Sequence, residues 1–148
     1  MTEAAGDRDP RPAGFPAGPF RVAAVLFDFD GTLTSPGALD LPGFAQEIGC
    51  PTTTPVLEYI QGVEDLEQRV MLVRRLEALE LAGAAASRPN AGAEEVVLGL
   101  REMGLPLAIL SRNGTRAILR ALDNFPRLTA SHFQVIISRD DPVAPKPA

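Results

Sequence analysis

Two aspartates at the end of an apolar segment are the residues of this sequence best suited to chemistry. Asp28, Phe29, Asp30, Gly31 and Thr32 follow directly on a run of Val, Ala, Leu and Phe. A continuous apolar run of this length is typical of a strand buried on both faces. Gly31 favours a sharp turn, so both carboxylates can leave the strand and converge on one pocket. A carboxylate pair beside exposed turn amides suits a divalent cation and a phosphate group.

The alternative interpretation of this segment is a strand that merely ends in polar turn residues, because Asp and Gly are common in turns. Two later segments favour the chemical interpretation. Ser111 ends a second apolar run, and Lys146 is followed by Pro147. Taken alone, Ser111 could be an ordinary turn serine and Lys146 a solvated surface lysine.

The elements around these residues alternate between strand and helix. Strands are predicted at Val22 to Phe29, Pro106 to Leu110 and Phe133 to Ile137. Helices are predicted over 42–48, 55–60, 64–86, 93–103 and 115–122. This order predicts an α/β fold with a parallel sheet, in which ligands bind at the carboxyl ends of the strands.

Two of the predicted helices carry apolar residues at spacings of three and four, which places those residues on one face. The inward face of the helix over 64–86 is expected to consist of Leu66, Val70, Val73, Leu76 and Leu79. Glu80 lies away from that line. In the helix over 93–103 the residues expected to face inward are Val96, Val97, Leu100 and Met103.

Composition restricts the function classes. The chain has 148 residues, 45% of them hydrophobic and 22% charged, which suits one globular domain with or without a small insertion. A net charge of −5, one Tyr and no Trp argue against nucleic acid as a partner. No apolar stretch is long enough to span a membrane, and no signal-peptide pattern opens the sequence. Cys50 is the single cysteine; we expect a buried thiol and a reducing, cytoplasmic location.

Together, the three polar segments resemble the haloacid dehalogenase superfamily, in its phosphatase branch. Asp28 to Thr32 matches the family's first motif, Asp-x-Asp-Gly-Thr. Ser111 matches the second motif, a Ser or Thr at the end of a later strand, and Lys146 matches the third. The resemblance extends from about residue 22 to the C-terminus, and the subgroup most similar is the phosphoglycolate phosphatase-like one, which has a small helical cap.

This resemblance implies a domain organisation. A Rossmann-like core would comprise residues 22–38 and 88–148, and the helical cap would be inserted at 39–87. Residues 1–21, rich in Pro and Gly, would form a flexible leader. The alternative is that the helices over 39–87 belong to the main core; a cap, by contrast, would pack mainly on itself.

The resemblance also implies a Mg²⁺-dependent hydrolase that acts on a small phosphorylated metabolite through an aspartyl-phosphate. Asp28 would be the nucleophile, and Asp30 would protonate the leaving oxygen and then activate water. Mg²⁺ would be held by the Asp28 carboxylate and the Asp30 carbonyl. The phosphoryl group would be bound by turn amides and polar side chains, at Phe29, Gly31, Thr32, Ser111, Arg112 and Lys146.

One family feature is missing from the sequence. The fourth motif consists of acidic residues beyond the Lys that complete the metal shell, and no acid follows Lys146; Asp140 and Asp141 precede it. The C-terminal strands of the family fold would be missing too, which leaves the strand over 22–29 as an exposed edge that invites pairing with a second copy. We favour a truncated chain, while a natural short form completed by a partner, or one that binds metal weakly alone, stays open. We expect the 148-residue chain by itself to have little turnover and to self-associate.

Two further functions stay open beside the hydrolase. A phosphosugar mutase shares every motif found here, and a non-catalytic phosphate-binding module could have lost the fourth motif. Turnover of an aryl phosphate that is abolished by Asp28→Asn would favour the hydrolase. Binding of phosphate or Mg²⁺ without turnover would favour the binding module. Neither nucleic acid nor a membrane is an expected partner.

Overall fold

A computed structural model describes residues 21–143, so the predictions for Lys146 and for the leader up to residue 20 lie outside the described residues. Strands β1 (Val25–Phe27), β2 (Leu107–Leu110) and β3 (Val135–Ile137) form a parallel sheet with β2 in the centre. Leu26 is in register with Ala108, and Ile109 with Ile136. Because the strands are parallel, their carboxyl ends lie together at one edge of the sheet.

Five α-helices and one short 3₁₀ helix connect these strands in the described part of the chain. The α-helices are α1 (Leu41–Glu47), α2 (Val56–Gln61), α3 (Leu66–Ala86), α4 (Ala93–Glu102) and α5 (Thr115–Leu122), and the 3₁₀ helix is Ala130–His132. The predicted α/β fold with a parallel sheet is therefore confirmed, and most bounds differ from the prediction by one or two residues. The first strand is shorter than predicted because its pairing with β2 ends at Phe27, and the chain turns from Asp30 onward.

The larger apolar cluster surrounds the central strand, and we call it the sheet cluster. Leu107 and Ile109 of β2 meet Val97 of α4 and Ile118 of α5, and all four side chains are at most 1% exposed. The other face of β2 is half-buried. A strand held on its neighbours and covered by helices in this way gives a rigid support for the residue that follows it.

A second apolar cluster lies between α1, α2 and the first half of α3, and we call it the helical cluster. Its buried members are Phe44, Ile60, Leu72 and Leu76. The last turns of α3 leave this cluster and pack on α5, and Ala84 belongs to the sheet cluster. The division into a cap over 39–87 and a core stays a prediction; the separate helical cluster supports it, and the end of α3 joins the two regions.

The predicted inward face of α3 was wrong in the first half of the helix. Leu66 is 63% exposed and Val70 is 42% exposed. Val73 is exposed too, whereas Leu76 is buried as predicted. The buried side of α3 also carries Leu72, Glu80, Gly83 and Ala84. Apolar residues occur on two sides of this helix, and contact with α2 and α5 decided which side is covered.

The inward face of α4 was partly wrong as well. Val97 is fully buried as predicted, whereas Val96 is 53% exposed and Met103 is 74% exposed. A ten-residue helix against one sheet face covers only a narrow stripe, and Val97 occupies it. The predicted burial of Cys50 is confirmed. Within residues 21–143, no helix combines the length and apolar character needed to cross a bilayer.

Candidate active site

A tight turn after β1 presents the two aspartates. The Phe29 carbonyl accepts hydrogen bonds from the N–H groups of Thr32 at 3.3 Å, Leu33 at 2.9 Å and Thr34 at 3.1 Å. Gly31 has a φ of +75°, a left-handed conformation that glycine adopts without strain. The Phe29 side chain is buried in the sheet cluster and anchors the turn. As a result, the exposed residues on either side of Phe29 stand at the carboxyl end of β1.

A cavity of about 360 Å³ opens at this edge of the sheet. Asp28, Asp30, Gly31, Ser111 and Arg112 all line it, together with residues 34–39, Leu41 and Asn113. Five predicted site residues from two separate parts of the sequence therefore share one cavity. Thr32 is not among the lining residues, and its N–H is engaged by Phe29. Lys146 lies outside the described residues.

The second segment of the site is the loop from Ser111 to Gly114, which follows β2. Ser111 is buried, and its N–H donates to the Ile137 carbonyl at 2.9 Å, which extends the β2–β3 pairing. The Ser111 Oγ accepts from the Asn113 N–H at 3.2 Å. The Asn113 Nδ2 donates to Asp30 Oδ2 at 2.7 Å. Asn113 thus ties the turn after β1 to the loop after β2.

Sequence reasoning did not single out Asn113. The available signal was the position of Asn113 two residues beyond Ser111, at the end of a strand next to the one that carries Asp30. Parallel pairing of adjacent strands brings such positions together, and an amide is a suitable donor for a carboxylate.

The Arg112 side chain contacts α2, which belongs to the helical cluster. Its Nη2 lies 2.6 Å from each carboxylate oxygen of Glu58 on α2. Burial raises the pKa of Glu58, but the hydrogen bond and positive charge of Arg112 and a backbone hydrogen bond together lower it by more, so the pKa lies below its ordinary value. The two side chains are 30% and 40% exposed, so the pair stands at the cavity rim. The predicted role of Arg112 in phosphate binding stays a prediction.

Glu80 is the second residue that sequence reasoning missed. It was placed away from the inward face of α3, but it is only 4% exposed. Its carboxylate forms an ion pair with Arg139, which follows β3. It also accepts the Gly114 N–H at 3.1 Å. Its long-range partner Arg139 could not be identified from helical spacing.

The residues present fit a magnesium ion. Mg²⁺ is usually bound by one or two carboxylates, with waters and substrate phosphate oxygens completing its shell. Asp28 and Asp30 both line one cavity, where the Asp28 carboxylate and the Asp30 carbonyl would supply two oxygen ligands. A protein-only cage is not found in the part of the chain that is described, where no three His, Cys, Asp or Glu residues group around a common point.

Solved structures with the same fold come from several bacteria. A predicted phosphoglycolate phosphatase from Haemophilus somnus is 16% identical, with a TM-score of 0.57 over 88% of this chain and 68% of that one. CbbY from Rhodobacter sphaeroides in complex with phosphate is 17% identical, with a TM-score of 0.64 over 86% of this chain and 68% of that one. At these identities the likeness shows the fold.

Sequence relatives point to the same group of proteins. An uncharacterized hydrolase of Saccharomyces cerevisiae is 25% identical over 128 residues, which are 85% of this chain and 59% of the yeast protein. This chain therefore spans less than two thirds of that relative. The family model for haloacid dehalogenase-like hydrolases matches residues 22–148, a range that includes both aspartates, Ser111 and Lys146. The chain belongs to the haloacid dehalogenase-like hydrolase family.

Proposed function

We propose that this protein hydrolyses a small phosphorylated metabolite, with Asp28 as the nucleophile and Asp30 as the general acid and base. The observation that carries the proposal is the meeting of Asp28, Asp30 and Ser111 at one cavity, with the Asp30 carboxylate held by Asn113 at 2.7 Å. Ligands of parallel α/β sheets bind at this edge of the strands. Membership of a hydrolase family supports the reaction type.

The reaction follows from the roles of these side chains. An Asp28 oxygen forms a bond to phosphorus while the bond to the leaving oxygen breaks, and Asp30 gives its proton to that oxygen. Asp30 then takes a proton from a water that attacks the aspartyl-phosphate, which frees phosphate and restores Asp28. The Ser111 hydroxyl donates to a phosphoryl oxygen. The Asp28 carboxylate and the Asp30 carbonyl would hold Mg²⁺, which would neutralise charge on the phosphoryl group.

Asn113 has a defined task in this scheme. Its amide holds one oxygen of Asp30, which fixes the direction of the other oxygen. A general acid must lie within hydrogen-bond reach of the oxygen that it protonates. A fixed carboxylate therefore avoids the loss of rate that comes with a poorly oriented one.

A phosphorylated sugar or a similar small metabolite is the substrate class that we infer. CbbY from Rhodobacter sphaeroides has been solved with phosphate, and a variant of it with xylulose-1,5-bisphosphate. The cavity of about 360 Å³ in this chain lies in the range of small-ligand sites.

The test is release of phosphate from 4-nitrophenyl phosphate by the full 148-residue chain, with Mg²⁺ or with a chelator. In keeping with the little turnover expected of the 148-residue chain, we expect slow Mg²⁺-dependent release that falls to the uncatalysed background in Asp28→Asn, because the nucleophile is lost. Asp123→Asn is the matched control, since Asp123 is exposed at the C-terminal cap of α5 and does not line the cavity. Equal release by the wild type and Asp28→Asn would contradict the proposal.

A second variant separates the two halves of the reaction. In Asp30→Asn, an aryl oxide still leaves without an acid, whereas hydrolysis of the aspartyl-phosphate has lost its base. We expect intact-mass measurements to detect a protein heavier by one phosphoryl group. Mg²⁺-dependent binding of phosphate without any turnover would favour the phosphate-binding module instead.

A further inference from the structure

One buried charge is not used by the proposed reaction. Glu80 is the one charged residue that is buried among residues 21–143, and it lies on α3, a helix whose first half belongs to the helical cluster. A buried carboxylate loses its hydration and is tolerated only with partners that replace it. Its partners therefore show what the carboxylate is for.

Those partners are the side chain of Arg139, which follows β3, and the backbone N–H of Gly114, which follows β2. One Glu80 oxygen pairs with Arg139 Nη1, and the other lies 3.0 Å from Nη2, a two-pronged contact typical of arginine and carboxylate. The second oxygen also accepts the Gly114 N–H at 3.1 Å. A Cβ at position 114 would lie 3.2 Å from Arg139 Nη2 and 3.6 Å from the Glu80 oxygen, so the ion pair packs directly on this glycine.

Arg139 also holds the loop through its backbone. The backbone N–H of Arg139 donates to the Asn113 carbonyl at 3.0 Å. Glu80 and Arg139 thus fix the two residues that follow Arg112, one through a carbonyl and the other through an N–H. Asn113 in turn bonds to Ser111 Oγ and to the carboxylate of Asp30. Four hydrogen bonds therefore lead from a buried charge on α3 to both segments of the candidate active site.

We propose that Glu80 is a positioning residue for catalysis, which holds the Ser111–Gly114 loop through the Gly114 N–H so that Asn113 and Ser111 are correctly placed. This inference rests on the proposed function. Arg139 neutralises the carboxylate, and the acceptor oxygen aims the loop. As a consequence, α3, whose first half belongs to the helical cluster, takes part in the geometry of the site.

The test compares two double variants that both remove the buried charges. Glu80→Gln with Arg139→Gln keeps a side-chain oxygen that can accept the Gly114 N–H. Glu80→Leu with Arg139→Leu replaces the pair with apolar side chains, an exchange that proteins often tolerate well, but it has no acceptor for Gly114. Far-UV and near-UV circular dichroism and an unfolding curve establish that both variants fold.

Two readouts are measured on each variant. We expect kcat for 4-nitrophenyl phosphate to fall about 10- to 100-fold in the Leu pair, with KM changed by no more than about threefold, because the Asp30 base that activates water for hydrolysis of the aspartyl-phosphate is misaligned. The Gln pair should keep kcat within about threefold. Amide exchange at Gly114 should be about tenfold faster or more in the Leu pair, since a hydrogen bond is lost, and unchanged in the Gln pair.

The outcomes separate this inference from the proposed function. Equal kcat and equal Gly114 exchange in two folded double variants would overturn the positioning role, even where Asp28-dependent turnover is normal. Equal losses in both variants would overturn it too, since they would assign the effect to the charge and not to the acceptor. If the wild type has no Asp28-dependent turnover, the proposed function fails, and a positioning role in catalysis fails with it whatever the amide exchange shows.

Discussion

The sheet cluster and the helical cluster differ in how firmly they hold their residues. Among the described residues the sheet cluster has fourteen buried members and the helical cluster has four, so the former loses far more buried contacts when one element moves. Residues with few buried apolar contacts open more easily than residues in a dense core. The carboxyl ends of β1 and β2 therefore form the more rigid side of the cavity, and Leu41 at the start of α1 lies on the side of the less densely packed helical cluster.

The two regions meet at the Ser111–Gly114 loop through two carboxylates of different character. Glu58 holds the Arg112 side chain at the cavity rim, where water competes with the pair. Glu80 is buried and holds the loop backbone. An exposed pair is worth little and is easily exchanged, whereas a buried pair is costly to break. Breaking the Arg112–Glu58 contact therefore costs little free energy, whereas breaking the Glu80 contacts costs much more.

The largest effect is expected where the two regions are joined. Arg139→Met leaves the Glu80 carboxylate buried without its cation, so the free energy of unfolding should fall by about 3–5 kcal/mol. Urea unfolding measures it. Arg127→Met is the matched control, because Arg127 is exposed and pairs with the exposed Glu95 at 3.2 Å. Similar losses in both variants would show that the Glu80 pair is no stronger than a surface pair.

The next largest effect is a difference in the free energy of unfolding lost when a cavity is made in each of the two clusters. Ile109→Ala in β2 should cost about 3–4 kcal/mol, since the fully buried side chain is held between rigid elements. Ile60→Ala in α2 should cost about 2–3 kcal/mol, because the smaller helical cluster can relax around the cavity. Hydrogen exchange should then rise first in α1 and α2 in the Ile60 variant. If both variants lost the same free energy of unfolding and showed faster hydrogen exchange over equally many residues, the two clusters would not differ in rigidity.

A smaller effect concerns the Arg112–Glu58 pair and the pH dependence of its contribution to stability. Burial raises the pKa of Glu58, but the hydrogen bond and charge of Arg112 and a backbone hydrogen bond together lower it by more, so the folded-state pKa lies below its ordinary value. The stabilisation is therefore complete above the ordinary pKa of glutamate and is lost as the pH falls through the lower folded value. It should amount to less than ~1 kcal/mol.

An NMR titration of the Glu58 carboxyl checks this expectation. Its midpoint should rise in Arg112→Gln and stay in place in the control Arg75→Gln, since Arg75 pairs with Glu47 and not with Glu58. A midpoint that does not respond to the loss of Arg112 would show that the pair is absent in solution.

The smallest effect tests the corrected face of α3. Val70→Gln should change the free energy of unfolding by no more than ~0.5 kcal/mol, because Val70 is exposed and leaves no cavity. Leu72→Ala on the buried side of the same helix is the comparison, and it should cost about 2–3 kcal/mol. A large loss from Val70→Gln would show that this face is covered in solution.

Local sequence patterns predicted the positions of the strands and helices well, but they predicted the buried sides of the helices less well. The turn after β1, which follows from Gly31, and the helix from Thr115 to Leu122 were both predicted, since such elements depend on residue types over a few positions. The interior side of α3 did not follow, because its apolar residues fall on two sides and only contact with α2 and α5 selects one of them. Cys50 was predicted to be buried and is.

The candidate site divides in the same way. Asp28, Asp30 and Ser111 could be identified because each ends an apolar run, and parallel strands bring such ends together. The Arg112 contact could not, since its partner Glu58 is 54 positions away in the sequence. Asn113 and Glu80 escaped notice because a turn residue and a helical glutamate have many ordinary uses.

By itself the sequence determined the order of strands and helices, the family, and the two carboxylates at the end of β1, since each depends on residue types at short spacing. The tertiary structure alone decided which side of α3 is buried, which acid holds Arg112, and how Glu80 reaches Gly114. These contacts join residues that lie far apart in the chain, and the free energy of burying a charge depends on the partner that folding brings to it. Spacing along the chain carries no information about that partner.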